Sequence, residues 1–289
     1  MRLDGRREST NVEDRRGRGG AVKAGGLGLG GLLIVGLIYL LTGRAPDPSM
    51  LQQMSPGTTE YTEGQDYSQV DQELMQFAKQ ILAGTEDVWT QEFKKLGRTY
   101  QPPKMVVFSG AVNTGCGNAT SDTGPFYCSA DQTVYLDLDF FKSMRSQIGA
   151  DGDFAYAYVI AHEVGHHVQN QLGTLNAAHQ QMAQYGKNNP KYNETSVRIE
   201  LQADFYAGVW AYHDNKMFNS LEDGDLEEAI NAAQKIGDDY LQRQAGYRQV
   251  QSDLFTHGTS AQRMRWLKKG LATGDIRQGD TFSPAYNSL

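Results

Sequence analysis

Residues 154–167 read Phe-Ala-Tyr-Ala-Tyr-Val-Ile-Ala-His-Glu-Val-Gly-His-His, apolar almost without interruption until histidines and a glutamate arrive together. A helix that is apolar nearly all round belongs in a protein interior. Tyr156–Leu172 therefore reads as a buried helix that carries His162, Glu163 and His166 inward with it. His162 and His166 are four apart and share one helix face, while Glu163 stands about 100° further round. Two neutral imidazoles at that spacing can hold one Zn²⁺ at about 2.0–2.1 Å. Glu163 would then lie beside the metal, placed to take a proton from bound water. Unpaired polar and charged groups are expensive to bury, and a metal removes that expense. His-Glu-x-x-His also arises by accident on ordinary helices, so the reading needs a third ligand.

The sequence Glu200-Leu201-Gln202-Ala203-Asp204 supplies a candidate. Glu200 and Asp204 are four apart, and Val197, Ile199, Leu201, Ala203, Phe205, Val209 and Trp210 surround them with apolar side chains. A carboxylate pair facing a core needs a compensating cation. Glu200 would complete a His₂Glu zinc site with one position open to water. Asp204 would accept a hydrogen bond from the second nitrogen of a ligand histidine and so fix its orientation. Read as an exposed acidic pair on a surface helix, the same residues would lack a reason for their apolar flanks.

His-Glu-x-x-His followed on a later helix by Glu-x-x-Ala-Asp resembles the pattern of zinc peptidases whose third ligand is glutamate, the gluzincins. It is most similar to the branch that holds the CAAX prenyl protease and the HtpX-like proteases. That branch also carries Thr-His-Pro with an arginine at fixed distance. Here Thr256-His257-Gly258 keeps the spacing to Arg263 but replaces proline by glycine. The resemblance implies oxyanion stabilisation by His257 and a supporting place for Arg263. The whole chain resembles the bacterial neutral zinc metallopeptidases still more closely. The shared features are Asn11-Val12-Glu13-Asp14-Arg15-Arg16-Gly17, a single anchor, Gly124-Pro125-Phe126-Tyr127-Cys128, the zinc helix and His-Gly-Thr-Ser at 257–260. Its implications are a zincin-like α+β fold, mostly helical with a small sheet, one Zn²⁺ per chain, and a polypeptide substrate.

At 289 residues the chain suffices for one or two domains. Its net charge of −7 argues against a nucleic-acid partner. Residues 1–23 are polar and rich in arginine, and read as a solvated basic tail. Residues 24–42 carry no charge and are just long enough to cross a bilayer. An uncleaved anchor is favoured over a signal peptide, because Leu41-Thr42-Gly43 is a poor cleavage site. The basic tail places the amino terminus in the cytoplasm and the remainder on the extracytoplasmic side. Residues 43–69 have a linker composition, and 70–289 form the metallopeptidase domain.

Within that domain Asp71–Leu96 reads as an amphipathic helix, and 104–108 and 133–138 as strands. A strand over Phe126–Leu138 could offer its edge to an extended substrate, or serve as a plain hairpin strand. Further helices are expected over Asn176–Gln184, Asn193–Asn215, Leu226–Gln244 and Thr259–Thr273. Cys116 and Cys128 would form a disulfide in an exported domain and remain thiols in the cytosol. His167 is read as a helix-surface residue or one supporting the ligands from behind, His179 and His213 as surface histidines, and Tyr212 and Tyr247 as packed aromatics. A rival reading keeps the zinc but not the chemistry: a membrane-tethered binding or scaffold protein. Another makes the substrate something other than a peptide.

Overall fold

The computed structural model describes residues 1–16 and 68–289. The fold is α+β and mostly helical. Its elements are β1 (Val12–Asp14), α1 (Gln69–Lys95), β2 (Lys104–Phe108), β3 (Ala111–Thr114), β4 (Gly117–Thr120), β5 (Phe126–Cys128) and β6 (Thr133–Asp137). There follow α2 (Asp139–Ser143), α3 (Asp153–Leu172), α4 (Thr174–Tyr185), α5 (Pro190–Phe218), α6 (Asp225–Lys235), α7 (Asp238–Gln244) and α8 (Ser260–Thr273).

The main sheet has the order β1-β2-β6-β5. β1 and β6 both run parallel to β2, and β5 is antiparallel to β6. Strands covered on both faces read as continuous apolar runs, which accounts for β2 and β6. Met105, Val107, Val134 and Leu136 join the large helical core. Val106, Phe108 and Tyr135 face a smaller cluster under the β3–β4 hairpin, together with Cys128. Cys116 and Cys128 are joined as a disulfide, which pins the hairpin turn to β5.

Helix ends follow local chemistry. The Ser68 hydroxyl caps α1 by accepting from the Asp71 N–H, and Lys94 and Lys95 close its last turn. Asn189 caps α5 with Pro190 in its first turn. Thr259 and Gln262 form a capping box that starts α8.

Three sequence expectations change here. The stretch 226–244 is two helices, because the backbone turns at Gly237 against Ser260. A Cβ on Gly237 would stand 2.4 Å from the Ser260 nitrogen. The expected strand 126–138 is split, and β5 alone lies at the sheet edge while β6 is interior. The solvated basic tail is the largest correction. Residues 1–16 are packed on the domain: β1 pairs with Met105–Val107, and Arg6 forms a buried ion pair with Asp214. The expected membrane helix at 24–42 lies outside the described residues, as does the expected linker apart from Ser68 and Gln69. Among the described residues no helix is long and apolar enough to cross a membrane.

Candidate active site

Helices α3, α5 and α8 meet where the motif residues converge, and glycines let them approach. A Cβ on Gly165 would lie 2.9 Å from the Ala203 carbonyl oxygen of α5. On Gly270 of α8 it would lie 2.1 Å from the Phe205 oxygen, and on Gly208 of α5 it would lie 2.3 Å from the Leu267 oxygen. Any side chain at these positions would wedge the helices apart.

At the first of these crossings, one Glu200 carboxylate oxygen lies 3.1 Å from His162 Nε2 and the other 3.5 Å from His166 Nε2. All three donors fall within 4.8 Å of one another. Tetrahedral zinc with bonds of about 2.0–2.1 Å holds its donors about 3.3 Å apart, so this set of two imidazoles and one carboxylate fits a zinc ion. The second nitrogens are already engaged. His162 Nδ1 donates to Asp204 at 2.8 Å, and His166 Nδ1 donates to Gln169 Oε1 at 2.9 Å. Both imidazoles therefore turn Nε2 toward Glu200.

Behind the donors stands a buried polar network. Asp204 accepts from the Tyr158 hydroxyl at 2.6 Å, from Arg263 Nε at 2.8 Å and from Arg263 Nη2 at 2.9 Å. Burial alone would raise the Asp204 pKa, yet Arg263 and His162 hold it down to about 2. His162 is likewise disfavoured as a cation by burial, but Asp204 and Glu200 reverse this and raise it. Glu200 moves down despite its burial, through the two histidines. Burial lowers His166 to about 4. Glu163 is 8% exposed, and burial pushes its carboxyl up to about 7. That is where a group must stand to accept and return a proton near neutrality.

His257 sits on the loop between α7 and α8, whose backbone is gathered by the buried Asp238. One Asp238 oxygen accepts from the N–H groups of Thr256, His257 and Gly258 at 2.8, 2.7 and 2.9 Å. Gly258 takes a positive φ of 91° there, which a glycine adopts readily and a proline cannot. Burial pulls His257 down, but Asp238 and the charge of Glu200 prevail and raise its pKa. His257 opens onto one cavity of about 500 Å³ with His162, Glu163, His166, Glu200 and Arg263. Apolar side chains from two separate clusters line the same cavity: Phe140, Met144 and Ile148 from one, Leu175, Met182 and Ile199 from the other.

Every metal, catalytic and supporting residue expected from the sequence thus comes to one place, with Arg263 on the cavity wall and Asp204 just behind it. Neither Tyr212 nor Tyr247 lines the cavity, whereas the exposed His179 does. His167 is fully buried rather than on a helix surface. It contacts the Tyr127 hydroxyl at 2.9 Å and the Gln101 carbonyl at 2.7 Å, so it ties β5 to α3. Burial lowers it to about 4, the Gln101 contact opposing. Tyr158, Gln169 and Asp238 carry no motif signal; only their polarity within apolar helices or beside the histidine loop could have pointed to them.

The sequence profile of the family described as "putative neutral zinc metallopeptidase" matches residues 1–282. The chain belongs to that family. It is 48% identical over 295 aligned residues to the uncharacterised protein YpfJ of Escherichia coli K12, covering 98% of this chain and 99% of YpfJ. It is 46% identical over 203 residues to the uncharacterised proteins Mb2605 of Mycobacterium bovis and Rv2575 of Mycobacterium tuberculosis, covering 67% of this chain and 67% of each. No solved structure matches the chain. Membership in this zinc family agrees with the donor set built by His162, His166 and Glu200.

Proposed function

We propose that the protein is a zinc-dependent endopeptidase that holds one Zn²⁺ per chain through His162, His166 and Glu200. The observation that carries this reading is the convergence of those three donors with Glu163 and His257 on one cavity. Bound zinc supplies Lewis acidity and an acidified water. Glu163, on the cavity beside the three donors, accepts the proton of the attacking water and returns it to the departing amine. His257, held by Asp238, donates a hydrogen bond to the carbonyl oxygen as that oxygen gains negative charge. Asp204 and Arg263 keep His162 in the tautomer that presents Nε2.

The substrate reading is supported by β5. Among the described residues it has β6 on one side only, and Gly124, Pro125, Phe126 and Tyr127 line the cavity. An extended peptide backbone can add to such an edge while its side chains enter apolar pockets. Tyr127 is anchored by His167 and by Asn170 Nδ2 at 3.0 Å, which fixes the edge relative to α3.

The test is elemental analysis of the full-length chain together with cleavage of an unfolded protein by wild type and Glu163→Gln. About one zinc in each, with cleavage by the wild type and a loss on the order of 10³-fold in the variant, is the expected result. Zinc-loaded wild type that cleaves no peptide would return the protein to the binding or scaffold class. A variant as fast as wild type would remove Glu163 as the base.

A further inference from the structure

The fold holds the two ends of the stretch 17–67 together. Just after β1, the Arg15 N–H donates to the Val107 carbonyl at 2.7 Å. Arg16 Nη1 lies 3.4 Å from the Asp71 carbonyl in the first turn of α1. Further back, the amino-terminal ammonium group lies 2.6 Å from Asp153 and 3.2 Å from Asp225. Both Arg6 Nη groups donate to the fully buried Asp214, at 3.0 and 2.6 Å. Ser9 and Asn11 donate to the buried Glu86 at 2.6 and 2.7 Å. These contacts reach β2, α1, α3, α5 and α6.

We infer that residues 1–16 and the zinc-binding domain occupy one compartment, so that Arg16 and Ser68 lie on the same face of any membrane this protein meets. A hydrocarbon layer about 30 Å thick cannot pass between groups that touch. A single crossing between Arg16 and Ser68 would strip β1 from the sheet and leave Asp214 charged in the core without Arg6. The sidedness expected from the sequence, with the amino terminus inside and the domain outside, therefore disagrees with the sheet.

Of the basic residues that suggested it, the arginines among the described residues are engaged elsewhere. Arg2 pairs with Glu222, Arg6 with Asp214, and Arg7 with Glu86 and Asp87. Arg15 pairs with Glu13 and Arg16 with Asp14. Arginines folded against carboxylates do not act as the free positive charge that orients a membrane segment. The Cys116–Cys128 disulfide belongs in an oxidising compartment, so the shared side is the extracytoplasmic one.

The test uses full-length chains in bacterial spheroplasts, with Thr10→Cys and Asn188→Cys made separately at exposed positions. A membrane-impermeant maleimide is applied before and after lysis, and the wild type, whose two cysteines are bridged, serves as the blank. Equal labelling of both variants before lysis is expected. Labelling of Asn188→Cys alone, with Thr10→Cys reached only after lysis, overturns the inference. Labelling of both only after lysis overturns the extracytoplasmic side.

A second measurement guards against partial folding. Arg2 Nε and Glu222 Oε1 are 3.2 Å apart on the surface, so Arg2→Cys with Glu222→Cys can be bridged by a short bismaleimide. A protease site placed between residues 50 and 60 is then cut. Fragments that stay joined support the shared compartment, and fragments that separate overturn it. Neither readout needs cleavage activity, so the inference stands or falls apart from the peptidase reading.

Discussion

Helix α5 carries two fully buried aspartates, each clasped by an arginine from a distant part of the chain. Asp204 meets Arg263 of α8, and Asp214 meets Arg6 of the amino-terminal segment. Both arginines are nearly buried too, at 4% and 9% side-chain exposure. The pairs resemble each other in physics and differ in what the spare oxygen valence does. At Asp204 it holds Tyr158 and His162, the proposed zinc ligand. At Asp214 it accepts only from Ser220 at 2.6 Å among the described contacts, besides Arg6. The same ion pair thus serves the proposed zinc site at the middle of α5 and assembly near its carboxyl end.

This contrast can be broken or sharpened by substitution. The largest effect is the loss on the order of 10³-fold in turnover for Glu163→Gln, with folding unchanged, because only that change removes a proton carrier. Next comes Arg263→Met, which leaves Asp204 buried without its cation. Unfolding by urea should show a loss of about 3–5 kcal/mol, and zinc affinity should fall about 10–100-fold in a metal competition assay. Arg6→Ala should cost a similar 3–5 kcal/mol, since Asp214 is stranded in the same way. Its zinc affinity should match wild type; a weaker affinity would mean that the two sites on α5 are coupled.

Cys116→Ser with Cys128→Ser opens a short loop and should lower stability by about 2–3 kcal/mol. The smallest effect is with pH. Burial would raise Asp14 and Asp71, but Arg16 in the first case and Lys142 with Ser68 in the second bring both below the ordinary range. Carboxylates lowered on folding contribute stability above their unfolded value, near pH 4, and lose it as pH falls through the folded value. Urea midpoints measured from pH 6 to pH 3 should decline less for Asp71→Asn than for wild type.

The two sites on α5 also differ in how far their roles could be read beforehand. His162, Glu163 and His166 announce themselves by a spacing of one helical turn, as do Glu200 and Asp204. Those signals are local, and helix geometry converts them directly into placement. His257 and Arg263 stand out instead through the resemblance to a family that keeps the spacing between them. β1 has no such signal: Val12-Glu13-Asp14 is short, polar and followed by two arginines. Its partners, Met105–Val107, stand about 90 positions away, and the Asp214 that receives Arg6 stands about 200 positions from it. Complementarity at that range leaves no periodicity to find. The same holds for His167, whose burial depends on Tyr127 and Gln101, and for Asp238, which works on a loop some twenty residues downstream. The break at Gly237 reflects the approach of Ser260, again a distant neighbour.

The pairing of β1 with β2 bears on the order in which the molecule is made. A ribosome delivers Val12–Asp14 first, yet the strand that receives them follows some ninety residues later, and the aspartate that takes Arg6 about two hundred later. Contacts so far apart in the chain form slowly, because a long closure must precede any gain. The amino terminus therefore waits through most of synthesis and docks near the end, closing over a domain whose helices have already met.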